Sequence, residues 1–396
     1  MVAKSSWKHI FSNALAAQEP RISFLAHGHH LWPDAALEGH IAAWHAGLEL
    51  AGKKWDMVLG PVWAEAQRHV ASELNLPDPR TIVFAGNAHD LLVRVVSAIH
   101  RKPARVLASS HEFLSFMRQA RRWHETGDII LETAAPDRML EVAQTGQFDL
   151  IYISQIFYDS GRESCWREIA HLAGRNGPWV IVDGYHGFMA LPTDFSQFAD
   201  KAFYLAGGYK YAMSGEGVGF LHAPADFALS PSITGWFAHG DDNDYRGKLA
   251  VGFPCDARRL IGSTFDPSGL YRFNAVRRML AQHGIDTGVM ARHAHRLKLE
   301  LVRANGVPGC ELLNPPGELP TARFLSFQGQ QCLSIAARLR DEGIDVDARG
   351  NLMRIGLSIY HDSDDIEQLT SALARRAARG KKAKLGPLLA QTAGAA

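Results

Sequence analysis

The chain has 396 residues, 46% of them apolar and 21% charged, and 42 Lys+Arg against 41 Asp+Glu leave a formal charge of +1. That length suits one large α/β domain with a smaller satellite, and the near balance of charge supplies no general field for nucleic acid or an anionic membrane. Four scattered cysteines (Cys165, Cys255, Cys310, Cys332) with no C-x-x-C pair speak against a disulfide framework, a zinc ribbon or an iron–sulfur cluster. No window of about 18 apolar residues occurs and residues 1–19 make a poor signal-peptide core, so a cytoplasmic protein is expected.

Pro33–Leu50 and Pro61–Leu74 read as helices joined by a loop, Gly52-Lys53-Lys54-Trp55. From Thr81 to Pro224, short β-branched or aromatic runs alternate with longer amphipathic stretches, the pattern of a mostly parallel sheet covered by helices. The predicted strands are Thr81–Ala85, Arg105–Ser109, Asp128–Leu131, Leu150–Ser154, Trp179–Asp183, Ala202–Ala206 and Gly217–His222; Asp90–His100 and His111–His124 are crossover helices. Phe227–Gly262, rich in Gly, Asp and aromatic residues, is expected to be irregular and close to the site. Helices over Asp266–His283 and Asp286–Arg303 precede strand Arg323–Phe327, helix Cys332–Arg340, strand Leu352–Tyr360 and helix Ile366–Ala378. The expected division is an N-terminal arm and helix over 1–60, a large domain over 61–285, a small C-terminal α+β domain over 286–378, and a flexible tail over 379–396.

The chemistry is concentrated in Trp179-Val-Ile-Val-Asp183-Gly-Tyr-His186 and Ala202-Phe-Tyr-Leu-Ala-Gly-Gly-Tyr209-Lys210-Tyr211. Each half is an apolar strand ending in a polar cluster, which brings Asp183, His186 and Lys210 to the carboxyl edge of the sheet, where open α/β sheets bind ligands. A strand-end Asp alone also suits a helix cap. A lysine after two glycines, between two tyrosines, reads instead as a partly desolvated amine able to form a Schiff base with an aldehyde cofactor. Gly215-x-Gly-x-Gly219 precedes a strand and lacks the dinucleotide spacing, which rules against NAD. The 19 histidines contain no H-x-x-x-H pair, and no metal is expected.

These segments resemble the pyridoxal-phosphate (PLP) enzymes of fold type I, aminotransferase class V branch, and within it most resemble kynureninase. Tyr209-Lys210-Tyr211 and Gly235-Trp236-Phe237-Ala238-His239 match elements of that family, and Gly52-Lys-Lys-Trp55 resembles its Gly-Lys-Arg-Pro-Trp turn without the proline. The resemblance implies that Lys210 carries PLP as an imine, that Asp183 pairs with the pyridinium nitrogen so that the ring acts as an electron sink, and that His186 lies near the ring or its 3-oxygen. It puts Ala88 and His89 at the phosphate, where Asn87 or Asp90 equally suits helix capping, and it puts Tyr209 on the phosphate as well. It further implies that Phe113 stacks on the ring, that Asp159, also a suitable N-cap, approaches the cofactor, and that Trp236 reaches it. Ser263 and Thr264 are implied to come from a neighbouring subunit, making a homodimer with shared sites. Arg354 is implied to hold the substrate α-carboxylate, and His29 and His30 fall where the family has a substrate-side loop, although packing or solvent exposure suits these two histidines better than substrate contact.

The implied reaction is hydrolytic Cβ–Cγ cleavage of kynurenine or a related amino acid. A class V aminotransferase of unknown substrate is the alternative, since its cofactor contacts would look alike. A cysteine desulfurase is disfavoured because Cys332 sits in an amphipathic run rather than on an exposed loop, and a non-catalytic PLP-fold protein is disfavoured by the intact Asp183 and Lys210.

Overall fold

A computed structural model describes residues 6–174, 176–239 and 251–383. Its largest layer is a seven-stranded sheet of β1 (Ile82–Ala85), β2 (Ala104–Ser109), β3 (Ile129–Ala134), β4 (Leu150–Ser154), β5 (Trp179–Asp183), β6 (Ala202–Gly207) and β7 (Gly219–His222). All seven predicted strands are present, and their spatial order is β1-β7-β6-β5-β4-β2-β3. Pairs β7/β6 and β1/β7 are antiparallel and the remaining pairs parallel. Strands β4 and β6 are buried along their whole length, as expected of strands covered on both faces. Opposing residues are in register at the carboxyl edge, Ser154 with Asp183 and Asp183 with Leu205. The chain passes from β2 out to the edge strand β3 and then back across to β4. This reversal opens a crevice between the ends of β2 and β4.

The covering helices include α1 (Asp34–Leu50), α2 (Trp63–Leu74), α3 (Ala88–Ser97) and α4 (Leu114–Glu125). Two more short helices, α5 (Met139–Thr145) and α6 (Trp166–His171), carry crossovers for which the sequence reading named no helix. At seven and six residues they are too short for a full amphipathic period to stand out. The segment expected as a loop at Gly52–Trp55 is helical instead. A 3₁₀ turn at Ala51–Lys53 runs into an α-turn at Lys54–Met57 and a π-turn at Val58–Val62, and the winding is disturbed at Ala51, whose φ is 46°, and at Gly60-Pro61. Trp55 packs its ring on Phe237 and Phe265, which fixes this turn against the segment after β7.

Helices α7 (Ser268–Gln282) and α8 (Thr287–Arg303) lead to a second, antiparallel sheet ordered β10-β11-β9-β8, with β8 (Glu311–Leu312), β9 (Phe324–Gln328), β10 (Asp347–Arg349) and β11 (Leu352–Gly356). Helices α9 (Cys332–Asp341) and α10 (Ser363–Ala383) accompany it. A separate apolar cluster of Leu297, Leu325, Ile335, Met353, Ile355 and Leu369 forms its core. The chain's early residues join this part: Ile22–Ser23 pairs in parallel with Ile344–Asp345, and Phe24 is buried in the same cluster. Helix α10 runs to Ala383, so the expected tail begins as helix, and residues 384–396 lie outside the described residues. Among the described residues no helix is long and apolar enough to cross a membrane.

Candidate active site

The carboxyl edge of the large sheet encloses a cavity of about 220 Å³. Its lining includes Ala88, His89, Phe113, Tyr152, Ser154, Tyr158, Asp183, Tyr185, His186, Tyr209 and Lys210. Asp183 ends β5. It accepts a 2.5 Å hydrogen bond from Tyr152 Oη and a 2.9 Å bond from the Tyr185 N–H. Burial nonetheless raises its carboxyl above the usual range, so a cationic group placed beside it would be strongly held.

Lys210 follows β6 after Gly208 and Tyr209 and is buried, its Nζ 2.8 Å from His186 Nε2. Desolvation brings the amine down to about 7 despite the opposing pull of Asp183, with Arg354 and Arg349 assisting the fall. The amine is therefore largely available as a neutral nucleophile at physiological pH. His186 is held neutral, first by burial and then by the charges of Lys210 and Arg354. Rings of Tyr185, Phe113 and Tyr209 surround Nζ at 5.2, 5.4 and 5.9 Å from their centroids.

At the other end of the cavity stands the first turn of α3. Asn87 caps it by accepting the Asp90 N–H at 2.9 Å, as the capping reading anticipated, and Ala88 and His89 face the cavity. The leading N–H groups of a ten-residue helix lack carbonyl partners four residues back, and they attract an anion. Gly219 of β7 lets strand backbone lie against this turn, since a Cβ there would stand 2.4 Å from Ala88 N.

Several predicted residues lie elsewhere. Asp159 does not line the cavity; its carboxylate meets His111 Nδ1 at 2.6 Å and its carbonyl accepts from Ser326 Oγ. His30 is a core residue rather than a substrate contact. Its Nδ1–H donates to Leu31 O at 2.6 Å, its Nε2 meets Ser358 Oγ, and burial brings it down to about 3. His29 is exposed, paired with Glu216 at 3.0 Å and stacked on the outer side of Tyr209. Trp236 is 71% exposed, and Ser263 and Thr264 are exposed outside this chain's cavity. Arg354 is buried just beyond the cavity wall, where it donates to Asp347 and, at 2.5 Å, to the Tyr158 carbonyl.

Tyr158, from the turn that the family resemblance brings toward the cofactor, lines the cavity, whereas the sequence singled out none of Tyr152, Ser154, Tyr185 and Glu112. Tyr152 and Ser154 alternate onto one face of β4; register sets Ser154 opposite Asp183, and Tyr152, opposite Ile181, reaches Asp183 through its hydroxyl. Glu112 gave no signal. It is buried beneath Ser154, whose N–H donates to Oε1 at 3.0 Å and whose hydroxyl meets Oε2, and burial pushes its carboxyl up to about 8. The described residues contain no cluster of His, Cys, Asp and Glu able to hold a metal ion.

Comparison with solved structures shows that this fold is shared with known proteins. A mutant of C-DES with glycine covalently linked to its PLP cofactor superposes with a TM-score of 0.79 at 18% identity, covering 93% of this chain and 99% of that one. The apo cysteine desulfurase of Thermococcus onnurineus NA1 gives 0.77 at 18% identity over 96% of this chain and 100% of that one. Among curated proteins, 8-amino-7-oxononanoate synthase of Aeromonas salmonicida (strain A449) is 26% identical over 235 residues, which is 57% of this chain and 53% of the synthase. The chain thus matches about half the length of that curated relative. The family model described as aminotransferase class-V matches residues 61–369.

Proposed function

The chain belongs to the aminotransferase class-V family of PLP-dependent enzymes, and from that premise we propose that it cleaves the Cβ–Cγ bond of an aryl-ketone amino acid such as kynurenine by hydrolysis. The observation that carries the reading is the aromatic-walled cavity in which a near-neutral Lys210 amine lies at one wall and the Asp183 carboxylate at another. The residues fit the cofactor: Lys210 would hold its aldehyde carbon, Asp183 its ring nitrogen, His186 its 3-oxygen, and Ala88 and His89 with Tyr209 its phosphate, with Phe113 against the ring face. When bound, PLP supplies an electron sink for the substrate α-carbon.

The chain's own groups would do the rest. The Lys210 amine would take the α-proton, and His186, neutral and 2.8 Å away, would hold that amine in place. Phe113, Tyr158, Tyr185 and Tyr209 offer flat apolar surface for an aryl group and keep water from the buried end of the cavity. Arg354 would receive the substrate carboxylate, the bidentate partner such a group requires. A desulfurase reading would need a thiolate near the substrate. Cys332 is buried on α9, 3.8 Å from Cys310 Sγ, and burial pushes it up to about 12.

The same reading makes the active form a homodimer. Trp236, Ser263 and Thr264 are exposed away from this chain's cavity, and α1 presents Leu37, Ile41, Trp44 and Leu48 to solvent at helical spacing. The test is incubation of the PLP-loaded protein with kynurenine, following anthranilate fluorescence, beside a keto-acid assay and a sulfide assay with cysteine and cystine. Anthranilate release supports the reading; keto acid without anthranilate replaces it with transamination, and sulfide replaces it with carbon–sulfur cleavage.

A further inference from the structure

Arg354 is placed to meet a substrate carboxylate, yet it does not line the cavity. Its Nε and Nη2 both donate to one oxygen of Asp347, the residue opposite it across the β10/β11 pair, and its Nη1 donates to the Tyr158 carbonyl. The Tyr158 ring, whose centroid is 5.8 Å from the guanidinium, stands between the arginine and the cavity. The face of the guanidinium that binds carboxylates side-on is therefore occupied by a carboxylate of the protein itself. Asp347 lies well below the usual carboxylate range, with His27 and Arg354 lowering it against the effect of burial.

Beside this pair is a side chain with no hydrogen-bond partner. His27 is completely buried, and neither ring nitrogen makes a hydrogen bond. Its Nε2 is 3.7 Å from Asp347 Oδ2, and its ring stacks on Phe324, whose other neighbour is His186. Gly356, two residues beyond Arg354, leaves room for the imidazole, since a Cβ there would stand 2.3 Å from His27 Nδ1. A buried imidazole without partners carries a desolvation cost that a hydrogen bond would remove.

We propose that Asp347 is a built-in stand-in for the substrate carboxylate: it holds Arg354 behind Tyr158 in the free enzyme, the incoming α-carboxylate displaces it, and the released Asp347 turns onto His27. The inference rests on the reading of Arg354 as the carboxylate site. No bond is made or broken; one ion pair is exchanged for another, and the arginine is never left buried without an anion. The exchange favours ligands that bring a carboxylate, because an amine lacking one leaves Asp347 in place.

The test uses the PLP-loaded enzyme and 3-phenylpropanoate, a carboxylate with no amine to react, with affinity measured by titration calorimetry. Asp347→Asn removes the competing charge and keeps the side-chain shape, and it is expected to bind the probe about tenfold more tightly than the parent protein. Equal or weaker binding overturns the exchange and leaves Asp347 as a residue that merely orients Arg354. Arg354→Ala separates the two layers of the argument: if it binds the probe as the parent does, the carboxylate site itself is elsewhere and the exchange falls with it. Should Asp347→Asn not fold, His27→Gln serves, since it leaves the ion pair but alters the receiving ring. It is expected to weaken the probe about fivefold with normal PLP loading, and unchanged affinity overturns the proposal.

Discussion

In the floor of the cavity, Asp183, His186 and Lys210 are buried side chains from β5, β6 and the turns that directly follow them. Strand register sets their spacing, and each has a hydrogen-bond partner within the same sheet edge. The rim is assembled differently. Arg354 comes from the second sheet and is held by Asp347, Trp236 stands in solvent, and Ser263 and Thr264 lie outside the cavity of their own chain. A sheet edge fixes its groups whatever is bound, because moving one would break strand pairing. The backbone of Arg354 is paired just as firmly, with Ser326 on one side and Asp347 on the other, but its long side chain can turn about its own bonds, and groups on loops are free of strand pairing, so the rim can answer to a ligand or a neighbour.

The sharpest break in this contrast is Lys210→Ala. It should abolish the borohydride-reducible absorbance near about 420 nm and lower activity by on the order of 10⁴-fold, and a surviving chromophore would remove Lys210 from the floor. Next is Asp183→Asn, expected to cost about 10²–10³-fold in kcat while the protein still takes up PLP; a near-normal kcat would mean that the ring nitrogen faces something else. At the rim, Arg354→Ala should act mainly on KM, with a loss of about 2–4 kcal/mol in substrate binding, whereas an effect confined to kcat would move Arg354 into the floor.

The pH dependence of cofactor capture sharpens the same comparison. With the Lys210 amine lowered to about 7, the neutral nucleophile predominates above that pH, so the rate at which cofactor-free protein forms its chromophore should level off there. It should fall roughly tenfold per unit below it. A rate still climbing through pH 9 would show an amine with its ordinary basicity. The smallest effect is expected at Glu112. Pushed up to about 8, its carboxyl is mostly protonated at neutral pH and can donate to the Ser154 hydroxyl while accepting the Ser154 N–H. Glu112→Gln preserves both bonds and should change stability by less than about 0.5 kcal/mol, against about 2–3 kcal/mol for Glu112→Ala in thermal or denaturant unfolding.

The floor was legible in the sequence for the reason that makes it rigid. Apolar runs such as Trp179–Val182 and Ala202–Ala206 announce strands, and the polar residues that end them fall at the ligand edge without any knowledge of long-range contacts. All seven large-sheet strands and helices α1 to α4 and α7 to α10 were foreseen from such periodic runs. Tyr152 and Glu112 were not. Tyr152 stands on an apolar strand and only its hydroxyl, bonded to Asp183 of the next strand, marks it, while the placement of Glu112 depends on the β2-to-β4 reversal, which brings it to Ser154, 42 positions away. His29 and His30 divide between the two alternatives to a substrate contact, since His29 is exposed and the His30 ring is buried among Phe11, Tyr211 and Tyr360, which no local pattern in Gly28-His29-His30 distinguishes. Arg354 was singled out by the family resemblance of its strand, and nothing local revealed that Asp347 would face it across a hairpin.

The absent side chain at position 219 ties the two ends of the cavity into one jaw. Strand β7 follows the lysine turn and presses its bare backbone on the turn that begins α3, so the segment that anchors one end of a ligand is also the backstop of the other. A methyl group inserted at that seam would wedge strand and helix apart. The span between amine and anion cradle would lengthen without either being touched, and a ligand of fixed length would then reach only one of them.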